Sequence, residues 1–576
     1  MDPNQLRGAA ERWLAEDPDP GTRRELQEIL DRGDAAALAE RFGGALRFGT
    51  AGLRGKIGAG PNRMNRVVVI RTTAGLARYL LDNVPDARAR GVVVGCDGRH
   101  LSAEGRADVV EVLAGHGIRA RVFRDLAPTP LVAFTVSHLA AAGGVMITAS
   151  HNPAAYNGYK VYWGNGAQII PPHDAGIAAA IDEVGPLAAI PRMSQDDATA
   201  AGLREELGEE TILAYLERIR SLSRRPPSRS VRIAYTPMHG VGGDLALRAL
   251  SRFGFKDVHV VSEQMAPDPD FPTVAFPNPE EKGAMDLVLA LASRVSADLV
   301  LANDPDADRL AVSAPRGDGT YQPLSGNEIG MLLASWLLEP PPEGKPLAIT
   351  TIVSTPMLAA MCARLGVRCE EVLTGFKWIA NRAMELDARE GARFVLGFEE
   401  ALGYSVGEIC RDKDGISAAA VFAELAASGD VLRRLEDLFR RYGLYVSGQS
   451  GFTAEGASGQ ATIRETMERL RSAPPRSIGG RAVVAMRDYL AGRRTAADGK
   501  TTTLELPASD VLGFDLEGGS RVIARPSGTE PKIKYYFDVC EPVSPKESID
   551  EARDRARRIL DEMARDFATL AGPPSR

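Results

Sequence analysis

Gly143-Gly-Val-Met-Ile-Thr-Ala-Ser-His-Asn-Pro153, with Tyr156-Asn-Gly-Tyr-Lys160 close behind, is the stretch around which the rest of the chain is organised. Residues 143 to 149 are small or apolar and predict a short buried strand. The strand breaks at Ser150-His151-Asn152-Pro153. Pro153 disfavours helical backbone at Asn152, so Ser150 and His151 are expected on an exposed, stiff loop. A hydroxyl there, beside an imidazole and shortly before Lys160, is a nucleophile candidate. An ordinary strand exit carrying polar residues reads the same way in isolation.

Outward from this stretch, strands and helices alternate. Val92–Gly95 predicts a strand ending at Asp97-Gly-Arg-His, Ser102–Gly115 a helix, Arg119–Phe123 a strand and Leu131–Leu139 a helix, and the next strand delivers Ser150. This order implies a mostly parallel sheet with helices on its faces, and ligands in such sheets collect at the carboxyl ends of the strands. The pattern restarts at Val231 and again at Glu328, giving three α/β units before Arg393–Phe398. From Tyr445 short strands, one helix at Ile463–Arg471 and a terminal helix at Lys546–Leu570 read as a smaller α+β domain. Residues 1–42 read as helical, with Thr22 and Glu25 as an expected capping box. The expected domains are 1–205, 206–325, 326–444 and 445–576.

Composition narrows the class. With 576 residues the chain exceeds one core, and 44% hydrophobic with 25% charged residues is ordinary for a globular protein. A net charge of −7 shows no footprint for nucleic acid. Five cysteines, an odd number without C-x-x-C spacing, argue for a reducing compartment and against structural zinc. No run approaches the ~18 apolar residues of a membrane span, so a cytoplasmic protein with no membrane or nucleic-acid partner is expected.

The other candidate loops sit at strand ends. Phe48-Gly-Thr-Ala-Gly-Leu-Arg-Gly55, continuing to Gly58, offers four glycines and Arg54 to an anion approaching the backbone. Leu299-Val-Leu-Ala-Asn-Asp-Pro-Asp-Ala-Asp-Arg309 ends an apolar run in Asp304, Asp306 and Asp308. Three acids so close repel one another, and a divalent cation is the usual relief. An EF-hand is rejected, because Arg309 stands where its glycine belongs and Pro315 where its bidentate glutamate belongs. A haloacid-dehalogenase-like Asp-x-Asp would continue with Thr or Val, where Asp308 stands. Thr374-Gly-Phe-Lys377 lies between a strand and a helix, and Glu399-Glu400 ends the following strand, ahead of Asp412-Lys413. Glutamates there suit sugar hydroxyls and lysines suit a phosphate. Arg525-Pro-Ser-Gly-Thr529 supplies a guanidinium fork, two hydroxyls and backbone amides to a monophosphate.

Thr148–Pro153, Asp304–Arg309, Phe398–Gly403 and Arg525–Thr529 occur in the order found in the α-D-phosphohexomutase superfamily, which the chain resembles along essentially its whole length. Phe48–Gly55, Tyr235-Thr-Pro-Met-His-Gly240, Pro277-Asn-Pro-Glu-Glu-Lys282 and Val161-Tyr-Trp-Gly-Asn-Gly166 resemble the branch that holds phosphoglucomutases with phosphopentomutase activity. The resemblance implies four domains around a central cleft, one diagnostic loop from each. It implies that Ser150 carries a phosphoryl group, that Asp304, Asp306 and Asp308 hold Mg²⁺ against it, and that Arg54, His151 and Lys160 surround the reacting oxygens. Ser150 itself would join the metal through its phosphate. Arg309, Thr374, Gly375, Lys377, Glu399, Glu400 and Lys413 would bind the sugar phosphate, whose second phosphate would meet Arg525, Ser527, Gly528 and Thr529. The implied activity interconverts α-D-glucose 1-phosphate and glucose 6-phosphate in a monomer or dimer, with glucose 1,6-bisphosphate as intermediate and activator. Pentose and mannose phosphates are the implied alternatives, and a sugar-bisphosphate synthase is a further one. One departure stands out: Ala401 follows Glu399-Glu400 where the family commonly has serine.

Overall fold

The computed structural model describes residues 2–49, 52–224, 230–454, 459–527 and 532–572. The chain opens with three helices, α1 (Pro3–Glu16), α2 (Pro20–Arg32) and α3 (Ala35–Phe42). Leu6, Ala10, Leu26, Ile29, Leu30, Leu38 and Phe42 bury one face of each in a small core that also takes Ala59. The expected capping box at Thr22 does not form. Pro20, whose fixed φ suits the first helical position, starts α2 three residues earlier, and Asp19 caps it by accepting from the Gly21 and Thr22 amides. Glu25 turns instead to Arg41 at 2.6 Å and the Ala59 amide at 2.9 Å.

The chain separates into two compact units. The first spans Met1–Ile329 together with Phe376–Leu386 and Phe394–Gly429. Its larger sheet contains β1 (Leu53–Lys56), β2 (Val92–Cys96), β3 (Ala120–Phe123), β4 (Gly143–Ile147), β5 (Tyr156–Trp163) and β6 (Arg204–Leu207), in the order β1-β5-β4-β2-β3-β6. The β2-β3, β2-β4 and β3-β6 pairs are parallel, as the alternation of strands and helices implies. Val92, Val93 and Val94 are fully buried, because helices cover both faces of the sheet. Tyr156–Lys160, to which the sequence reading gave no element, opens β5, which returns antiparallel beside β4 with Lys160 opposite Met146.

The second sheet of this unit runs β11-β10-β9-β7-β8, from β7 (Ile233–Thr236), β8 (Val258–Val260), β9 (Leu299–Ala302), β10 (Ala311–Pro315) and β11 (Tyr321–Pro323). The inner strand β7 is parallel to β8 and β9, and the central strand β9 delivers the aspartate loop. The unit also holds a hairpin in which Glu399 pairs with Gly403. The wholly buried helix Gly415–Ala427 follows, capped by Asp414, whose carboxylate accepts from the Ile416 and Ser417 amides and from the Tyr215 hydroxyl.

The second unit comprises Gly330–Gly375, Asp387–Arg393 and Asp430–Arg576. A parallel pair, Pro346–Thr351 and Arg368–Val372, flanks the helix Met357–Leu365. Beyond Tyr442 the sheet is antiparallel, its longest ladder joining Leu444–Thr453 to Lys532–Glu541. The final helix, Ile549–Ala571, opens on a Ser548–Glu551 capping box and packs Phe567 among Phe514, Tyr535 and Phe537. Glu371 accepts from Arg487 at 2.8 Å and from Arg521 at 2.9 Å, so this α+β sheet is joined to the parallel pair by buried charge.

Candidate active site

Two strand ends meet in the first unit. At the end of β4, Ser150 takes a left-handed backbone (φ 53°), a conformation that costs a non-glycine residue on the order of 1–3 kcal/mol unless its surroundings impose it. The Thr148 hydroxyl accepts from the Ser150 amide at 2.8 Å. Ser150 Oγ donates to Asp304 Oδ2 at 2.9 Å and lies 3.2 Å from His151 Nδ1. Ser150 is only 3% exposed, so the loop is not the open one its sequence suggests. The aspartate loop closes over the hydroxyl.

That second loop makes a tight turn, with the Ala307 amide donating to the Asp304 carbonyl at 2.8 Å and Ala307 itself left-handed. One carboxylate oxygen from each of Asp304, Asp306 and Asp308 lies within 4.8 Å of the other two, and all three residues are buried. Asp306 Oδ2 accepts from Thr129 Oγ1 and from Lys160 Nζ, each at 2.7 Å. Asp308 Oδ2 accepts from Lys160 at 2.9 Å and faces Lys413 at 3.3 Å. Asp306 Oδ1 and Asp308 Oδ1 are buried with no hydrogen-bond partner among the described residues. Clustered hard oxygens with unspent lone pairs fit a divalent cation of the Mg²⁺ type.

The electrostatics agree. Burial, then the charges of Asp308 and Asp306, push the Asp304 carboxyl well above its usual range. Burial acts on Asp306 in the same sense, but Lys160 overcomes it through charge and a hydrogen bond and holds this carboxyl low. Lys160 responds reciprocally: burial favours its neutral amine, yet Asp306 and Asp308 raise it and keep it an ammonium. His151 is pushed down to about 2 by burial first and then by Arg309 and Arg54. It faces the serine as a neutral imidazole at physiological pH.

Arg54 reaches the serine loop, its Nη1 donating to Asn152 Oδ1 at 3.3 Å. Arg309 holds the aspartate loop by donating its amide to Asp304 Oδ1 at 3.0 Å and pairs with Glu280 at 3.3 Å. The Glu399–Glu400 loop is fixed to the aspartate loop through the Leu310 amide, which donates to the Leu402 carbonyl, and through the Arg309–Gly403 bridge. Lys413, read from sequence as a phosphate ligand, is buried against Asp308 and Asp412 and 5.6 Å from the Phe376 ring. Lys377 lies 5.6 Å from the Trp378 ring. Thr374, Gly375, Arg525 and Ser527 belong to the second unit. The Thr374 hydroxyl is buried without a hydrogen-bond partner among the described residues, and the Ser527 amide donates to the Lys532 carbonyl at 2.7 Å. Gly528 and Thr529 lie outside the described residues.

Sequence reasoning passed over Arg99, Thr129 and Glu280. Arg99 carried a signal as a cation shortly after the end of β2, and Glu280 as part of the Pro277–Lys282 stretch. Thr129 meets Asp306 across 177 residues, a contact that no local pattern announces. The structure also explains the Tyr235–Gly240 stretch. A Cβ on Gly240 would stand 2.4 Å from Pro305 Cα, and the neighbouring Val241 amide donates to the Pro305 carbonyl. Gly240→Ala is therefore expected to cost about 1–3 kcal/mol, as overpacking does, and to lower turnover by displacing the aspartate loop. Urea unfolding checks it, and an unchanged midpoint would show that the contact yields freely.

Comparison with known proteins covers the same ground. Residues 45–186, 213–317 and 325–443 match the models described as phosphoglucomutase/phosphomannomutase, alpha/beta/alpha domains I, II and III. The human phosphopentomutase is 38% identical, over 92% of this chain and 90% of its own. The human glucose 1,6-bisphosphate synthase is 35% identical, over 98% and 94%. A solved phosphoglucomutase/phosphomannomutase family protein from Burkholderia thailandensis shares the fold, with a TM-score of 0.64 at 20% identity over 92% of this chain and 98% of its own.

Proposed function

Because the chain belongs to the phosphoglucomutase/phosphomannomutase family of the α-D-phosphohexomutase superfamily, whose members are sugar-phosphate mutases, we propose that Ser150 is the phosphoryl carrier of such an intramolecular transfer. The observation that carries the proposal is Ser150 Oγ hydrogen-bonded to one member of a buried triad of acids with unspent oxygens.

In this reading the phosphoserine donates its phosphoryl group to a hydroxyl of the sugar phosphate, and the P–O bond to Ser150 breaks as the bond to the sugar forms. The bisphosphate turns over, and its other phosphate returns to Ser150. Phosphoryl transfer asks for positioning and charge neutralisation more than covalent chemistry, and Arg54, Arg309 and Lys160 supply positive charge. Asp304, Asp306 and Asp308 would hold the cation, which when bound neutralises charge on the transferred group. Lys160 serves as acid and then base: its ammonium gives a proton to Ser150 Oγ as the P–O bond breaks, and the amine so formed takes the proton of the attacking sugar hydroxyl. Neutral His151 contributes a hydrogen bond at the serine oxygen. Glu399, Glu400 and Lys377 hold the sugar in this reading, and Lys413 steadies Asp308. The family resemblance gives a sugar-binding role to Thr374 and Gly375 as well, and a phosphate-binding role to Arg525, Ser527, Gly528 and Thr529.

We assign glucose 1-phosphate and glucose 6-phosphate as substrates, with glucose 1,6-bisphosphate as activator. The phosphopentomutase name of the 38% identical relative favours a second reading, exchange between pentose 1-phosphate and 5-phosphate, and Ala401 removes a hydroxyl donor at the sugar loop. Kinetics with glucose 1-phosphate, mannose 1-phosphate and ribose 1-phosphate side by side decide between them. A kcat/KM for ribose 1-phosphate above that for glucose 1-phosphate by about tenfold, near 1.4 kcal/mol, would replace the first reading by the second. Net accumulation of glucose 1,6-bisphosphate, in place of its catalytic use, would instead indicate a synthase.

A further inference from the structure

We infer that Arg99 is the positioning residue of the nucleophile, a single buried guanidinium that imposes the left-handed presentation of Ser150. The inference rests on the phosphoserine reading above. Arg99 is 4% exposed and follows the end of β2, in the Asp97-Gly-Arg-His segment to which no function has yet been attached.

Its Nη2 donates to the Ser150 carbonyl at 2.6 Å and to the Asn152 carbonyl at 2.5 Å. Its Nη1 donates to the Pro153 carbonyl at 2.9 Å and to the Tyr156 carbonyl at 3.2 Å. Three carbonyls of the loop between β4 and β5, and that of Tyr156 at the start of β5, thus converge on one rigid fork. Of these, the Pro153 carbonyl also accepts from the Tyr156 amide at 3.0 Å. The fork is itself anchored. Asp97 Oδ2 lies 3.3 Å from Nε, and Asp97 Oδ1 accepts from the Arg99 amide and the Ser102 hydroxyl. Over the guanidinium, 4.9 Å away, lies the ring of Phe271. The same segment sets the Phe276 ring edge-on to His151 at 6.4 Å, and Asp270 pairs with His100 at 2.7 Å.

Arg99 therefore joins the serine loop to the segment that encloses its imidazole. Without the fork, the loop carbonyls need water, and Ser150 Oγ loses its fixed bearing on Asp304. A lysine at this position would keep the charge beside Asp97. Its compact ammonium cannot reach four carbonyls spread from Ser150 to Tyr156.

The test uses the full chain carrying Arg99→Met or Arg99→Lys, with ³²P-labelled glucose 1,6-bisphosphate as phosphoryl donor. Both variants are expected to lose about a hundredfold in kcat with KM held within about threefold, as misplacement of a reacting atom requires. Label on Ser150 is expected to pass to water in place of sugar phosphate about tenfold more often than in the parent, because enclosure is relaxed. Lysine is expected not to rescue either quantity. A purely structural arginine would lower the melting temperature and leave kcat per folded molecule and the partition of label unchanged, which would overturn the inference. Failure of both variants to fold would overturn it too, by making Arg99 a requirement of folding. If the parent chain takes no label on Ser150, the phosphoserine reading itself falls. If the parent is labelled and both variants partition label as it does, only the role of Arg99 falls.

Discussion

Ser150→Ala is expected to abolish turnover, by at least about 10⁴-fold, while the affinity for sugar phosphate stays within about threefold of the parent. The asymmetry follows from what the side chain touches. Its hydroxyl meets Asp304 and His151, whereas the contacts that fix the loop run through the Ser150 amide and carbonyl, which alanine keeps. Folding should lose only about 1 kcal/mol, the usual worth of one hydrogen bond. Isothermal titration with glucose 6-phosphate and intact-protein mass spectrometry after incubation with glucose 1,6-bisphosphate check both halves. The parent should gain the mass of one phosphoryl group and the variant none. Ordinary activity in the variant would remove Ser150 from the reaction.

Asp304→Asn is expected to remove the response to Mg²⁺ with little effect on the metal-free fold. Burial and two acidic neighbours already push the Asp304 carboxyl toward its protonated form, which asparagine matches in shape. The amide can accept from the Arg309 amide and donate to Ser150 Oγ, preserving the contacts at 3.0 and 2.9 Å. A cation that binds only the folded chain stabilises the parent by about 2.7 kcal/mol at a hundred times its dissociation constant. That gain, read as a rise in melting temperature on adding MgCl₂, should vanish in the variant, and turnover should fall about 10³-fold. Equal stabilisation of parent and variant by MgCl₂ would place the cation elsewhere.

Much of this chain can be read locally. Helix and strand periodicities gave Ser102–Gly115 at its observed bounds and most strands to within two residues, because burying one face requires a repeating pattern of apolar side chains. The helix start at Pro20 was missed because two acceptors, Asp19 and Thr22, competed for one end, and proline geometry decided. Strand β5 has no clear local signal, because Asn157-Gly158 interrupts its apolar pattern. In the structure, a Cβ at Gly158 would stand 2.6 Å from the Thr148 carbonyl and 2.7 Å from the Leu53 carbonyl. The glycine lets neighbouring strands close around it and does not end one.

The sequence by itself determined which residues are the candidates for chemistry. Ser150, His151, Asp304, Asp306 and Asp308 stand just past strand ends, where a reactive group can be offered without disturbing a core, while Arg54 and Lys160 lie within β1 and β5. Only the tertiary structure decided how they are arranged. It buried the serine, set a lysine on two of the acids, placed Lys413 beside Asp308, and brought Thr129 and Arg99 to the site. These are contacts between side chains far apart in sequence, or between a side chain and a loop backbone. They follow from how the sheets pack and where desolvated charge finds a partner, so no local spacing records them.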